Sequence, residues 1–94
     1  MSNVFEITDK TGRKIKLTDV TWRHIQKEHP LIDEEEIKKT LINPLRITQK
    51  SKNKVFYYQY FKFKKLPYRY LRVIVRYLNG NGFVITAYFV KHMD

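Results

Sequence analysis

Two histidines, His24 and His29, stand five residues apart in the stretch VTWRHIQKEHPLI, residues 20–32, with Glu28 between them. Imidazole is the side chain whose charge changes nearest neutral pH, so this stretch is the first place to look for proton transfer. On a helix, His24 and Glu28 are spaced i, i+4 and lie one turn apart on one face. A carboxylate there can orient an imidazole, as a general acid–base group requires. His29 falls at a helix end before Pro30, where it either reaches beyond the helix or donates to a terminal carbonyl. The plainer alternative is a pair of solvated surface histidines. Metal binding fits poorly: helical ligand pairs favour i, i+4. The third histidine, His92, has no acidic residue near it in sequence except Asp94. No metal and no other cofactor is expected.

Charge supplies the second clue. The chain has 94 residues and a formal net charge of +10. Residues 1–36 hold six Lys or Arg and eight Asp or Glu, a net of −2. Residues 37–93 hold thirteen Lys or Arg and no acid, a net of +13. A folded segment with that imbalance forgoes internal ion pairs and attracts polyanions, nucleic acid before anionic membrane. Lys and Arg alternate with Tyr and Phe in KVFYYQYFKFKKLPYRYLRVIVRY, residues 54–77. Rings that stack bases beside cations that hold phosphates suit single-stranded RNA. The plainer reading puts several of those rings in the core.

These residues need elements to position them. VFEIT and KIKLT, around the turn cluster DKTGR, read as two short N-terminal strands. TDVTWRHIQKEHP reads as a helix capped by Thr18 or Asp19 and ended by Pro30, with Val20, Ile25 and Trp22 as its apolar stripe. DEEEIKKTLINP reads as a second helix, with Asp33 as N-cap and three glutamates on its positive end. Everything after Pro44 reads as strand: LRITQK, KVFYYQYFKF, RYLRVIVRYL and, after the hairpin signal NGNG, FVITAYFV. The expectation is one α+β domain, residues 1–94, with short N-terminal strands, two helices and a four-stranded, mostly antiparallel sheet covered by helices on one face.

Alternation divides the last strands into faces. Leu71, Val73, Val75 and Tyr77 share one, and Tyr70, Arg72, Ile74 and Arg76 share the other, the better basic surface. On the final strand Phe83, Ile85, Ala87 and Phe89 are the expected core face, with Val84, Thr86, Tyr88 and Val90 opposite. A two- or four-residue loop at NGNG sets Arg76 against Ile85, and a three-residue loop with a bulge sets it against Thr86. No cysteine is present, which fits a reducing cytoplasm, and neither a signal peptide nor an apolar run of about 20 residues is visible, so no membrane is expected.

TWRHIQKEHPLI, INPLRI, VFYYQY, YLRVIVRY and FVITAYFV, in that order, resemble phage-associated members of the barnase–colicin–RelE-like nuclease superfamily. The likeness runs from about Val20 to Lys91. It rests on W-x-H-I-x-x-x-H-P in the first helix, N-P after the second, and I-T-A-Y in the final strand. Similar proteins often carry Glu after H-P; here the position is Leu31, so this chain either lacks that acid or relies on Glu28. The resemblance implies a toxin- or phage-effector-like, metal-independent ribonuclease in which the 2′-hydroxyl attacks the adjacent phosphate. It makes His24 the leading acid–base residue and His29 the second, with Thr86 and Tyr88 as polar site residues and Arg76 stabilising the charged transition state. Tyr57 and Tyr58 would stack a base, and Lys62, Lys64, Lys65, Arg69 and Arg72 would hold the RNA backbone. The alternatives are a non-catalytic RNA-binding module, or a basic domain neutralised by an acidic antitoxin or immunity protein.

Overall fold

The computed structural model describes residues 2–62 and 68–93. Strands β1 (Asn3–Thr8) and β2 (Lys14–Thr18) form a hairpin, followed by helices α1 (Asp19–Glu28) and α2 (Glu34–Ile42). Strands β3 (Arg46–Gln49), β4 (Lys54–Tyr60), β5 (Tyr70–Leu78) and β6 (Asn81–Val90) complete the chain.

The helices start where capping chemistry dictates. Thr18 is the N-cap of α1, and its hydroxyl accepts from the Thr21 amide at 3.2 Å. Asp33 caps α2 in a full capping box: its carboxylate accepts from the Glu36 amide, and the Glu36 side chain accepts from the Asp33 amide. Ile37, Thr40 and Leu41 recur at i, i+3, i+4 and are buried. On α1, Ile25 is fully buried and Trp22 packs against the core, but Val20 is 52% exposed. Val20 lies about 140° around the helix from Ile25 at about 100° per residue, so it falls off the apolar stripe.

The sheet has six strands rather than the expected four, in the order β1-β2-β6-β5-β4-β3. The N-terminal hairpin is part of it because β2 pairs in parallel with β6, Lys14 to Asn81 through Lys16 to Phe83. All other neighbours are antiparallel. That seating buries Ile15 and Leu17 completely. It also requires glycine at position 82, where an added Cβ would lie 2.8 Å from the Tyr77 ring and 3.0 Å from Ile15 and Val75.

The β5–β6 register differs from both expectations. The hairpin turns on Asn79 and Gly80, at φ 53° and 81°, as a two-residue type I′ turn requires. Leu78 therefore faces Asn81, and Arg76 faces Phe83 rather than Ile85 or Thr86. A bulge follows, since Val75 pairs with Val84 while Ile74 pairs with Thr86, leaving Ile85 as the extra residue. The bulge reverses the sides of the first part of β6. Phe83 shares the face of Arg76, and Val84, expected outside, is buried in the core. Beyond it Ala87 faces the core, and Thr86, Tyr88 and Val90 lie opposite, as the alternation predicts.

Ile25 of α1 and Ile37 and Leu41 of α2 join one cluster with Leu71, Val73, Val75 and Tyr77 of β5. Both helices thus bury their apolar sides against the same face of the sheet. The other face carries Tyr58, Arg72, Arg76, Thr86 and Tyr88.

Candidate nucleic-acid interface

Strand register lays the second face out as rows, each crossing several strands. Arg46, Tyr58, Arg72 and Tyr88 form one row. Thr48, Phe56, Ile74 and Thr86 form the next. Lys54, Arg76, Phe83 and Lys16 form the third, with Glu6 beyond Lys16 at the sheet margin. Tyr60 and Tyr70 face each other at the opposite end, ring centroids 5.4 Å apart. Basic side chains from four strands, β2, β3, β4 and β5, share this face with aromatic rings.

Its centre is Arg72. The Nε–H donates to the Tyr58 hydroxyl and an Nη1–H donates to the Tyr88 hydroxyl, both at 3.0 Å. The guanidinium carbon lies 5.0 Å from the Phe56 ring centroid and 5.4 Å from those of Tyr58 and Tyr88. Rings on several sides and two oxygen acceptors hold the plane of this cation. Partial burial alone would lower its pKa, but the two phenolic acceptors outweigh burial and raise it above the ordinary arginine value. Arg72 is a fixed, permanent positive charge.

α1 carries a histidine to this cluster. The helix begins where β2 ends, and its C-cap residue, His29, lies beside the far part of β6, held by its amide donating to the Ile25 carbonyl at 2.7 Å. The His29 and Tyr88 rings are 5.6 Å apart with their planes tilted by 33°. An imidazole, a phenol and a guanidinium thus follow one another across α1, β6 and β5.

The predicted residues divide by place. His29, Tyr88 and Arg72 come together, and Thr86 lies one row away, opposite Ile74. Arg76 is exposed on the third row, and the bulge keeps it on the face of Thr86 although the two are not paired. His24 is exposed on α1, and among the described residues no hydrogen bond or ion pair joins it to Glu28, which is exposed as well. Both side chains are solvated, and water competes with a surface pairing of that kind. Lys62 and Arg69 are exposed beside the end of β4 and the start of β5; Lys64 and Lys65 lie outside the described residues.

Base stacking by Tyr57 and Tyr58 is corrected by their burial, since both are 0% exposed. Tyr57 points to the helix side, where its hydroxyl donates to the buried carboxylate of Asp9 and meets the Tyr77 hydroxyl. Tyr58 is on the basic face but lies under Arg72 and serves as its acceptor. The rings open to a base are Tyr60 and Tyr68, 42% and 46% exposed. Sequence reasoning missed both, although Tyr60 follows Tyr58 by two residues and so had to share its face. Among the described residues no three His, Asp or Glu side chains gather as a metal-holding group, and no helix is long and apolar enough to cross a membrane.

No protein-family model, curated protein or solved structure matches the chain.

Proposed function

We propose that the protein is a metal-independent endoribonuclease that binds single-stranded RNA across the helix-free face of its sheet and cleaves it at His29, Tyr88 and Arg72. One observation carries the reading: the Tyr88 hydroxyl sits 3.0 Å from an Arg72 donor while its ring lies against the His29 imidazole. Cleavage through the 2′-hydroxyl needs a base for that hydroxyl, an acid for the departing 5′-oxygen and positive charge for the phosphorane. His29 is the base and Arg72 the charge. Tyr88 accepts from Arg72 and keeps its own O–H to donate, so it is the acid. The products are a 2′,3′-cyclic phosphate and a free 5′-hydroxyl. Arg46, Lys54, Arg76 and Lys16 hold the backbone on either side, and Thr86 provides a further hydroxyl. His24 lies off this cluster and is not required. The reading places the protein in the cytoplasm with its substrate, and the acid-free segment 37–93 is what an acidic antitoxin or immunity protein would cover.

Cellular RNA incubated with the protein in excess EDTA tests this. The expected result is fragments with cyclic-phosphate ends, a rate about 10²–10⁴-fold lower for His29→Ala, and little change for His24→Ala. RNA that shifts on a gel but stays intact would overturn it in favour of a binding module. One feature favours that second reading: Arg72 is already engaged by two phenols, as a structural support of the face would be.

A further inference from the structure

Beside His29 lies a cavity of about 260 Å3 between the C-terminal end of α1 and the chain entering β5. Pro30, Leu31 and Phe89 give it apolar walls, and Tyr68, Glu28 and His29 bring in an aromatic ring and polar groups. Tyr68 and Leu31 are 46% and 58% exposed, so the cavity is open to a ligand from solvent. Its volume is somewhat below the roughly 300 Å3 at which drug-sized pockets begin, a size for one planar ring system rather than a run of nucleotides.

Glu28 is the feature that the fold itself does not account for. Of the nine acidic residues, several have evident local work. Asp9 is buried and fully hydrogen-bonded, Asp19 and Glu34 to Glu36 sit in first helical turns, and Asp33 is an N-cap. Glu28 is instead the last residue of α1, at the helix end that repels a negative charge. Among the described residues its carboxylate has no hydrogen bond or ion pair. It sits on the cavity wall next to His29.

We infer that this cavity is a nucleobase subsite: a base turned out of the RNA strand packs against Tyr68 and the Pro30–Leu31 wall and presents an amino-bearing edge to Glu28. A carboxylate only accepts hydrogen bonds. Guanine, adenine and cytosine each offer an exocyclic amino group, and guanine adds a ring N–H beside it. Uracil has one N–H flanked by two carbonyl oxygens, which a carboxylate repels. The subsite therefore selects against uracil next to the cleaved phosphate. The inference rests on the ribonuclease reading for the place of His29, but base selection is measurable without cleavage.

Titration of the four nucleoside 3′-monophosphates into the full-length protein, followed by amide NMR shifts in EDTA, tests it. The expected order puts 3′-UMP last, about tenfold weaker than 3′-GMP. Glu28→Gln should remove that gap, and Tyr68→Ala should weaken all four together. Both positions are exposed, and the amide spectrum itself reports whether each variant is folded. Equal affinity for all four nucleotides, or a gap that survives Glu28→Gln, would overturn the subsite. RNA cut with no preference at the cleaved position would leave the nuclease standing and remove the subsite. A clear preference among nucleotides without any cleavage would do the reverse.

Discussion

Tyr57 and Tyr58 are adjacent on β4 and serve opposite charges on opposite sides of the sheet. On the helix side, Tyr57 and Tyr77 converge on the carboxylate of Asp9, which also accepts from the Thr11 hydroxyl and from the Thr11 and Arg13 amides. Arg13 lies over the Tyr77 ring at 3.9 Å. Burial alone would raise the Asp9 pKa, but its hydrogen bonds, from Tyr57 first and then Thr11 and Arg13, more than reverse this and leave it below the ordinary carboxylate value. Burial, with Asp9 alongside, pushes Tyr57 and Tyr77 above the ordinary phenol value. On the other side Tyr58 and Tyr88 accept from a cation that stays partly exposed. A phenol both donates and accepts, so the same residue type seals an anion inside and steadies a cation outside. The inner cluster is closed and bears on stability; the outer one faces solvent and, under the proposed function, is the one that meets RNA.

Substitutions at five positions can break that contrast. The largest effect is expected from Asp9→Ala, which leaves one of the paired Tyr57 and Tyr77 hydroxyls and the part-buried Thr11 and Arg13 amides without their acceptor, at about 1–3 kcal/mol for each group that stays unpaired. A loss of about 4 kcal/mol in urea denaturation is expected, with RNA affinity per folded molecule unchanged. The sign with pH follows from the depressed pKa: the stabilisation is present above the unfolded carboxylate value and lost as pH falls through the folded one. Asp9→Asn should therefore flatten the acid limb of the stability profile.

Arg72→Lys comes next. It keeps the charge but cannot bridge two phenols with one plane. RNA cleavage should drop about 10²-fold while the thermal midpoint moves little. A large fall in the midpoint with unchanged cleavage would make the outer cluster structural like the inner one.

The adjacent phenols sharpen the comparison with one atom each. Tyr57→Phe should lower stability by about 1–2 kcal/mol and spare the rate, whereas Tyr58→Phe should lower the rate more than the stability. The smallest effect is expected at the exposed Arg76: Arg76→Gln should weaken RNA binding alike for all sequences and reduce the salt slope by about one. A change of base preference at this position would move the subsite to the third row.

Much of this fold is legible in the sequence because its signals are local. Thr18, Asp33 and Pro30 mark helix ends by their own backbone chemistry, and β-branched and aromatic runs mark the four later strands. The seating of β2 on β6 is not local: Ile15 meets Gly82 only in the folded sheet, and nothing in KIKLT names its partner. The bulge at Ile85 is hidden for the same reason, since an alternating run reads the same with or without one extra residue. Alternation did hold enough to separate Tyr57 from Tyr58, and giving both one role overlooked it. The histidines show the limit at the site. Spacing favours His24 through Glu28, whereas the path of α1 along β6 brings His29 to Tyr88.

The three-rung ladder between β2 and β6 also sets an order of events. It closes a loop of roughly 65 residues, a costly closure that only the finished core repays. Of the six strands, β1 and β2 are made before the rest, yet β6, the strand that seats β2 in the sheet, is made after the other five. Until β6 is made, β2 lacks the strand that seats it in the sheet, and Ile15 and Leu17 have only β1 and the helices to lie against. The N-terminal hairpin is thus the part of the nascent chain that waits longest and the part a chaperone has most time to meet.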